Sequence, residues 1–199
     1  MSSISINKKL NIAFSIDIDD GKKIWIHSVP ISKEIFEQNY LLLAKAMSNL
    51  YINGIGPALA PRIAALVLRD TAKEMNETTD ISFNLFQEIY RITNVLMETE
   101  TGWTLIPFHE VKNKKMLDES ILSEVENAVV YFMLASSIHL KSELRMAYQG
   151  LIGIWNAQIT SLNVTGFLAS LKTLTTEENT GEKPSPPKAL DVKASSIPS

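Results

Sequence analysis

The chain has 199 residues, of which 45% are apolar and 21% charged, and its formal net charge is −3. That size suits one domain with an appended tail and a substantial core, and the acidic balance offers no broad field for a nucleic-acid backbone. Cysteine is absent, which excludes disulfides, thiolate metal sites and a cysteine nucleophile and suits a reducing cytoplasm.

At the start, Lys8 and Lys9 precede LNIAFSI. Asp17, Asp19 and Asp20 then cut the run and no small-residue cleavage site follows, so no signal peptide is expected. From Leu10 to Ile18, the apolar residues Leu10, Ile12, Phe14, Ile16 and Ile18 alternate with polar ones, the pattern of a half-buried strand. A DDG turn at Asp19 to Gly21 leads into KKIWIHSV, and the two segments predict a β-hairpin. A lone hairpin is marginal in water, so its apolar face should lie on the helices that follow.

Pro30 ends the hairpin. Ser32 suits an N-cap, Ile31 and Phe36 have the spacing of a hydrophobic staple, and Glu34 favours the first turn. Phe36, Tyr40, Leu43, Met47 and Leu50 form one helical stripe. The stretch NGIGPALAP breaks this helix, through Gly54 and Gly56, and Pro61 opens a second that runs to about Glu74 and presents Ile63, Ala64, Leu66 and Val67. A third helix is predicted from Ser82 to about Met97, with Leu85, Ile89, Ile92 and Leu96 on one side. TGWTLIPF reads as short and extended, and Pro107 argues against a central strand.

SEVENAVVYFMLASSIHL, Ser123 to Leu140, lies in a helix predicted from about Asp118 to His139. Val125, Val129 and Phe132 mark one side, Tyr131, Leu134 and Ile138 a second, Val130 and Met133 a third. A helix apolar all round is expected at the centre of a bundle. Its uninterrupted apolar run, Ala128 to Ala135, is shorter than the roughly 18 residues of a membrane span, so no membrane association is expected. A further helix is predicted from Ser142 towards Leu162, carrying Leu144, Leu151 and Trp155, with Gly150 and Gly153 allowing close packing. TGFLASL adds a final turn or two.

From Lys172 onward there is no aromatic residue, and four of the eight prolines lie there. Such a segment buries too little apolar surface to offset ordering entropy. The expected fold is therefore mainly α: a helical bundle with an N-terminal β-hairpin over residues 1–171, and a disordered polar tail over residues 172–199.

The search for chemistry finds no enzyme motif. Glu124 and Glu126 stand some 200° apart on a helix at about 100° per residue, and read as first-turn acidic residues complementing the helix dipole. His27, His109 and His139 fall on different elements without metal-ligand spacing, and His109–Glu110 falls in a loop. GIGPALAP lacks the Walker ending and the dinucleotide fingerprint, and reads as a bend. Asn163 to Thr165 fits a glycosylation pattern that a non-secreted chain would not use. Lys112, Lys114 and Lys115 form the one dense basic run and read as a solvated loop. Trp25, Trp103 and Trp155 read as core residues or partner anchors. No catalytic residue, cofactor or metal is expected.

The segments HSVPISKEIFEQNY, GPALAPRIAALVLRD, RITNVLME, EVENAVVYFMLASS, WNAQITSLNVTGFLASL and SSIPS resemble the tail assembly chaperones of long-tailed, siphovirus-like bacteriophages. The likeness spans nearly the whole chain and rests on packing and capping patterns. It implies a late, helical, non-enzymatic protein of the host cytoplasm that is absent from the mature virion. Its implied partners are the tape measure protein, which it keeps soluble, and the tail tube protein, whose polymerisation it assists. It also implies a homo-oligomer and, in many relatives, a frameshifted longer product; the Gly-Lys pair familiar at such sites is absent here. The alternative is a virion structural component such as a tail completion or connector protein. A nucleic-acid-binding helical adaptor stands third.

Overall fold

The alternating residues build β1 (Asn11–Ile18) and β2 (Lys22–Ser28), paired antiparallel with Phe14 opposite Ile26 and Ile16 opposite Ile24. The computed structural model describes residues 10–18, 21–52, 55, 58–75, 79–100, 102–139 and 141–178. Two compact units divide the chain, Met1–Phe167 and Leu168–Ser199.

In the first unit the hairpin is the middle of a five-stranded antiparallel sheet, in the order β4-β3-β2-β1-β5. The added strands are β3 (Thr93–Thr99), β4 (Gly102–Pro107) and β5 (Gln158–Thr160). Around it lie α1 (Lys33–Ile52), α2 (Ala60–Glu74), α3 (Thr79–Arg91), α4 (Phe108–Asn113), α5 (Glu119–Ile138), α6 (Lys141–Ala147) and α7 (Gln149–Trp155). The fold is α+β. This corrects the expectation of a mainly helical bundle, and two segments account for the difference.

The predicted helix from Ser82 to Met97 ends at Arg91. From Thr93 the chain is extended, because Thr93 and Val95 are β-branched and their side chains enter the core beside Ser28 and Ile26 of β2. The predicted helix from Ser142 towards Leu162 is two short helices and then β5. Asn156 ends α7 in the left-handed region, with φ of 49°, and turns the chain back along β1. Pro107 closes β4, an edge strand, where a missing N–H is tolerated.

Caps and stripes set the remaining helices. Ser32 caps α1, its Oγ accepting from the Ile35 N–H at 3.3 Å. Leu42, Leu43, Ala46, Met47 and Leu50 bury one face of α1, and Tyr40 turns outward. On α2 the buried face is Ala64, Ala65, Leu68 and Ala72, while Leu66 is exposed and Ile63 and Val67 are half-buried. Small residues on that face let α2 approach α5 closely.

The core helix α5 packs against α1, α2 and α3 and touches β1. Every residue from Ala128 to Ala135 is buried. By length and composition α5 could cross a membrane, but 67% of its apolar window is already buried within the protein, which makes it the core helix of this fold.

α8 (Val164–Glu178) starts in the first unit, where Asn163 caps it through Oδ1, accepting from the Gly166 N–H at 2.9 Å. The second unit continues this helix through Glu178, beyond the composition break at Lys172. The expected disorder of residues 179–199 lies outside the described residues.

Candidate functional site

Among the described residues, a dense polar cluster centres on Glu126, which α5 buries in its second turn. Three helices converge on one of its oxygens. Tyr90, at the end of α3, donates its hydroxyl to Glu126 Oε1, and Arg69 of α2 donates from Nη2 to the same oxygen. Lys112 of α4 approaches Oε1 at 3.3 Å and donates to the Tyr90 hydroxyl at 3.1 Å. The Arg69 guanidinium lies 4.6 Å from the centre of the Phe86 ring and the Lys112 ammonium 4.6 Å from that of Tyr90, so each cation is also held against an aromatic face.

Burial, then the neighbouring Glu126 charge, pushes the Tyr90 hydroxyl well above its ordinary 10. Tyr90 therefore stays protonated and acts as a donor. The side chains of Arg69 and Lys112 are 39% and 36% exposed, so water relieves part of the cost of holding these charges. All the donors point inward at one carboxylate. The arrangement ties α2, α3 and α4 to α5 and presents no activated nucleophile or base to a substrate.

Glu124, two positions earlier, faces elsewhere and accepts from Trp155 Nε1 at 2.5 Å. The angular separation read from the sequence holds: the two carboxylates serve different neighbours. Their reading as first-turn dipole partners does not, since α5 begins at Glu119 and both sit deeper in the helix. Trp155, Glu124 and Asn127 line a shallow cleft of about 250 Å³ together with Arg62, Ser120 and Ser123. Asn127 there locks α2 to α5, its Oδ1 accepting from the Ala65 N–H at 2.9 Å.

The histidines lie apart, on β2, on α4 and at the end of α5. His27 is buried on the sheet face opposite the core helix, its Nε2 3.1 Å from the Leu162 carbonyl oxygen and its ring stacked on Phe167 at 5.6 Å. A carbonyl only accepts, so Nε2 carries the proton. Asn11 donates to the same carbonyl at 2.8 Å. Burial pushes His27 below its ordinary 6.5. His109 belongs to α4 rather than to a loop, and His139 follows α5 with Nδ1 3.5 Å from Glu143. Among the described residues, no group of three or more acidic or histidine side chains is arranged to hold a metal.

The lysine run is not a loop throughout. Lys112 serves the Glu126 cluster, and Lys114 pairs with Glu110 at 2.8 Å along α4. Among the tryptophans, Trp155 packs 5.8 Å from Phe14 in the core, Trp25 meets the edge of Phe167 at 6.2 Å, and Trp103 is 57% exposed. Gly54 and Gly56, in the predicted bend, lie outside the described residues. Sequence reasoning missed the Glu126 cluster because its members are 57, 36 and 14 positions apart in the chain. Comparison with protein-family models, with curated proteins and with solved structures gave no match.

Proposed function

We propose that the chain is a tail assembly chaperone of long-tailed bacteriophages, one that binds and solubilises the tape measure protein in the host cytoplasm and assists tail tube polymerisation. It acts by binding rather than catalysis, and leaves before the virion is finished. Two supports carry this reading: the resemblance of its packing and capping segments, and one observation on the surface of α2.

That observation is an outward apolar stripe. Leu59, just before α2, is 59% exposed, Leu66 is 55% exposed and Ile63 between them is half-buried. The spacing of four and then three places them on one side of the helix, away from the alanines that meet α5. A tape measure protein is long and helical and presents apolar residues at the same intervals, so helix-on-helix docking is the recognition mode that fits. Many such contacts along one long helix would add through avidity.

Co-expression of this chain with a tape measure protein tests the reading. Wild type should raise the soluble yield of the tape measure protein and co-purify with it, and Leu59→Lys with Leu66→Lys should lose both effects while the chain stays folded. Equal tape measure solubility with and without the chain, or stoichiometric presence in purified virions, would replace this reading with that of a virion structural component.

A further inference from the structure

The pairing of β3 with β4 fixes which backbone groups of β4 remain open. Two residues connect the strands, from Thr99 to its partner Gly102, and a two-residue connection closes on a hydrogen-bonded pair. Bonded and non-bonded pairs alternate along an antiparallel ladder. Gly102, Thr104 and Ile106 therefore direct their N–H and C=O at β3, and Trp103, Leu105 and Pro107 direct theirs away. Pro107 agrees with this assignment, since it has no N–H to give the ladder.

The strand guards that open edge lightly. Gly102–Pro107 carries no charge, where lysines are a usual protection, and its one protective residue, Pro107, stands at the far end and leaves Trp103 and Leu105 open. α4, which follows directly, contacts α3, β3 and β4 itself. Trp103 is 57% exposed beside it. The opposite end of the sheet is β5, with only three residues.

We propose that two copies of this chain join β4 to β4 antiparallel about a two-fold axis, making the five-stranded sheet of each copy half of one continuous sheet. A β4-to-β4 pairing fits better than a head-to-tail β4-to-β5 contact, because β5 is too short to match β4 and that contact is not self-complementary. The register is set by the open groups. With Thr104 opposite Thr104 of the second copy, Trp103 stands opposite Leu105, and every outward N–H and C=O of these two residues is paired. Sliding by one step to set Leu105 on Leu105 puts Trp103 against Pro107 and strands the Trp103 carbonyl. In the favoured register the exposed Trp103 rings are covered by Leu105 side chains on the sheet face away from α5. The pairing does not rest on the chaperone reading: a dimer that ignores the tape measure protein would keep it.

The chain has no cysteine, so a single introduced one reports on this contact alone. Thr104 would form a non-hydrogen-bonded pair with its own copy, at a Cα separation of about 4.5 Å, within the range of roughly 4.4–6.8 Å that a disulfide spans. Mild oxidation of the full chain carrying Thr104→Cys should give a covalent dimer at least about tenfold faster than Leu105→Cys does, a ratio worth some 1.4 kcal/mol. Sedimentation equilibrium of the wild type should give twice the chain mass of 22.2 kDa. Leu105→Pro removes an outward donor together with the half-buried Leu105 side chain, and Trp103→Lys puts a charge on the edge; whichever of the two keeps the wild-type circular dichroism should shift the protein to monomer. A wild-type monomer at roughly 100 μM, faster cross-linking at Leu105, or a dimer untouched by the folded edge variant would each overturn the proposal.

Discussion

Helix α5 and strand β4 are both uncharged over most of their length, yet the protein treats them oppositely. α5 is enclosed by α1, α2, α3 and the sheet, and its one buried charge is met by Arg69, Tyr90 and Lys112. Among the described residues β4 is paired on one side only, and Trp103 is 57% exposed. Apolar composition marked both segments; enclosure by the rest of the chain separates them. The long apolar helix, the more conspicuous in sequence, is the one that its own chain satisfies. Exposed apolar surface is spread over shorter features, the α2 stripe and the β4 edge.

The sharpest way to break this contrast is to empty part of the enclosed helix. Phe132 is fully buried and packs 5.7 Å from Tyr148, so Phe132→Ala should cost about 3–5 kcal/mol. Chemical denaturation measures it, and a loss under about 1 kcal/mol would mean that α5 is far less enclosed than its neighbours indicate.

Next in size is the polar side of the same helix. Glu126→Gln leaves Arg69, Lys112 and the Tyr90 hydroxyl around a weaker acceptor. The expected loss is about 1–3 kcal/mol, reduced by the partial exposure of the two cations. No loss at all would show that the cluster is held by packing and not by charge.

His27 tests the sheet face away from α5. Its folded pKa lies below the unfolded 6.5, so the unfolded chain binds more protons as the pH falls through that value. Stability contributed by neutral His27 is complete above 6.5 and declines on acidification until the folded pKa is passed, by at most about 1.4 kcal/mol per pH unit. Denaturation midpoints across this window should slope in the wild type and flatten in His27→Gln. An unchanged slope would assign the acid sensitivity to other groups.

The smallest effect on stability belongs to the open surface. Leu66→Lys should change unfolding free energy by no more than about 0.5 kcal/mol, while impairing partner capture. If this substitution destabilises the chain as α5 substitutions do, the α2 stripe is part of the core and not a docking surface.

Legibility in the sequence followed the range of the interactions involved. The hairpin and the limits of α1, α2 and α5 were readable because period, caps and turn residues act within a few positions. β3 was hidden because Ile89, Ile92 and Leu96 keep helical spacing. The contrary signal was the β-branched run Ile92, Thr93 and Val95, outweighed by the apolar stripe. β5 was hidden for a different reason: three residues give no period, and only its pairing with Asn11, Ile12 and Ala13 makes it a strand. The edge position of β4 was foreshadowed by Pro107, although the strand itself was left only as an extended segment. Glu126 could not be read at all, because what gives it a role is the convergence of three helices distant in the chain.

The pairing of β1 with β5 also governs when the sheet can be finished. Ala13 and Gln158 are partners, so nearly the whole first unit must leave the ribosome before the first strand acquires its outer neighbour. Closing so long a loop adds little to the equilibrium cost, which grows only with the logarithm of length, but contacts this distant slow the search for the native state. During that interval the β1 edge of the sheet stands unpaired, while α1, α2, α3 and β1, which cover α5, are already made. Folding yield should therefore depend on how fast the last strand arrives, and a stop or pause in translation before Gln158 should leave a nascent chain with an open β1 edge.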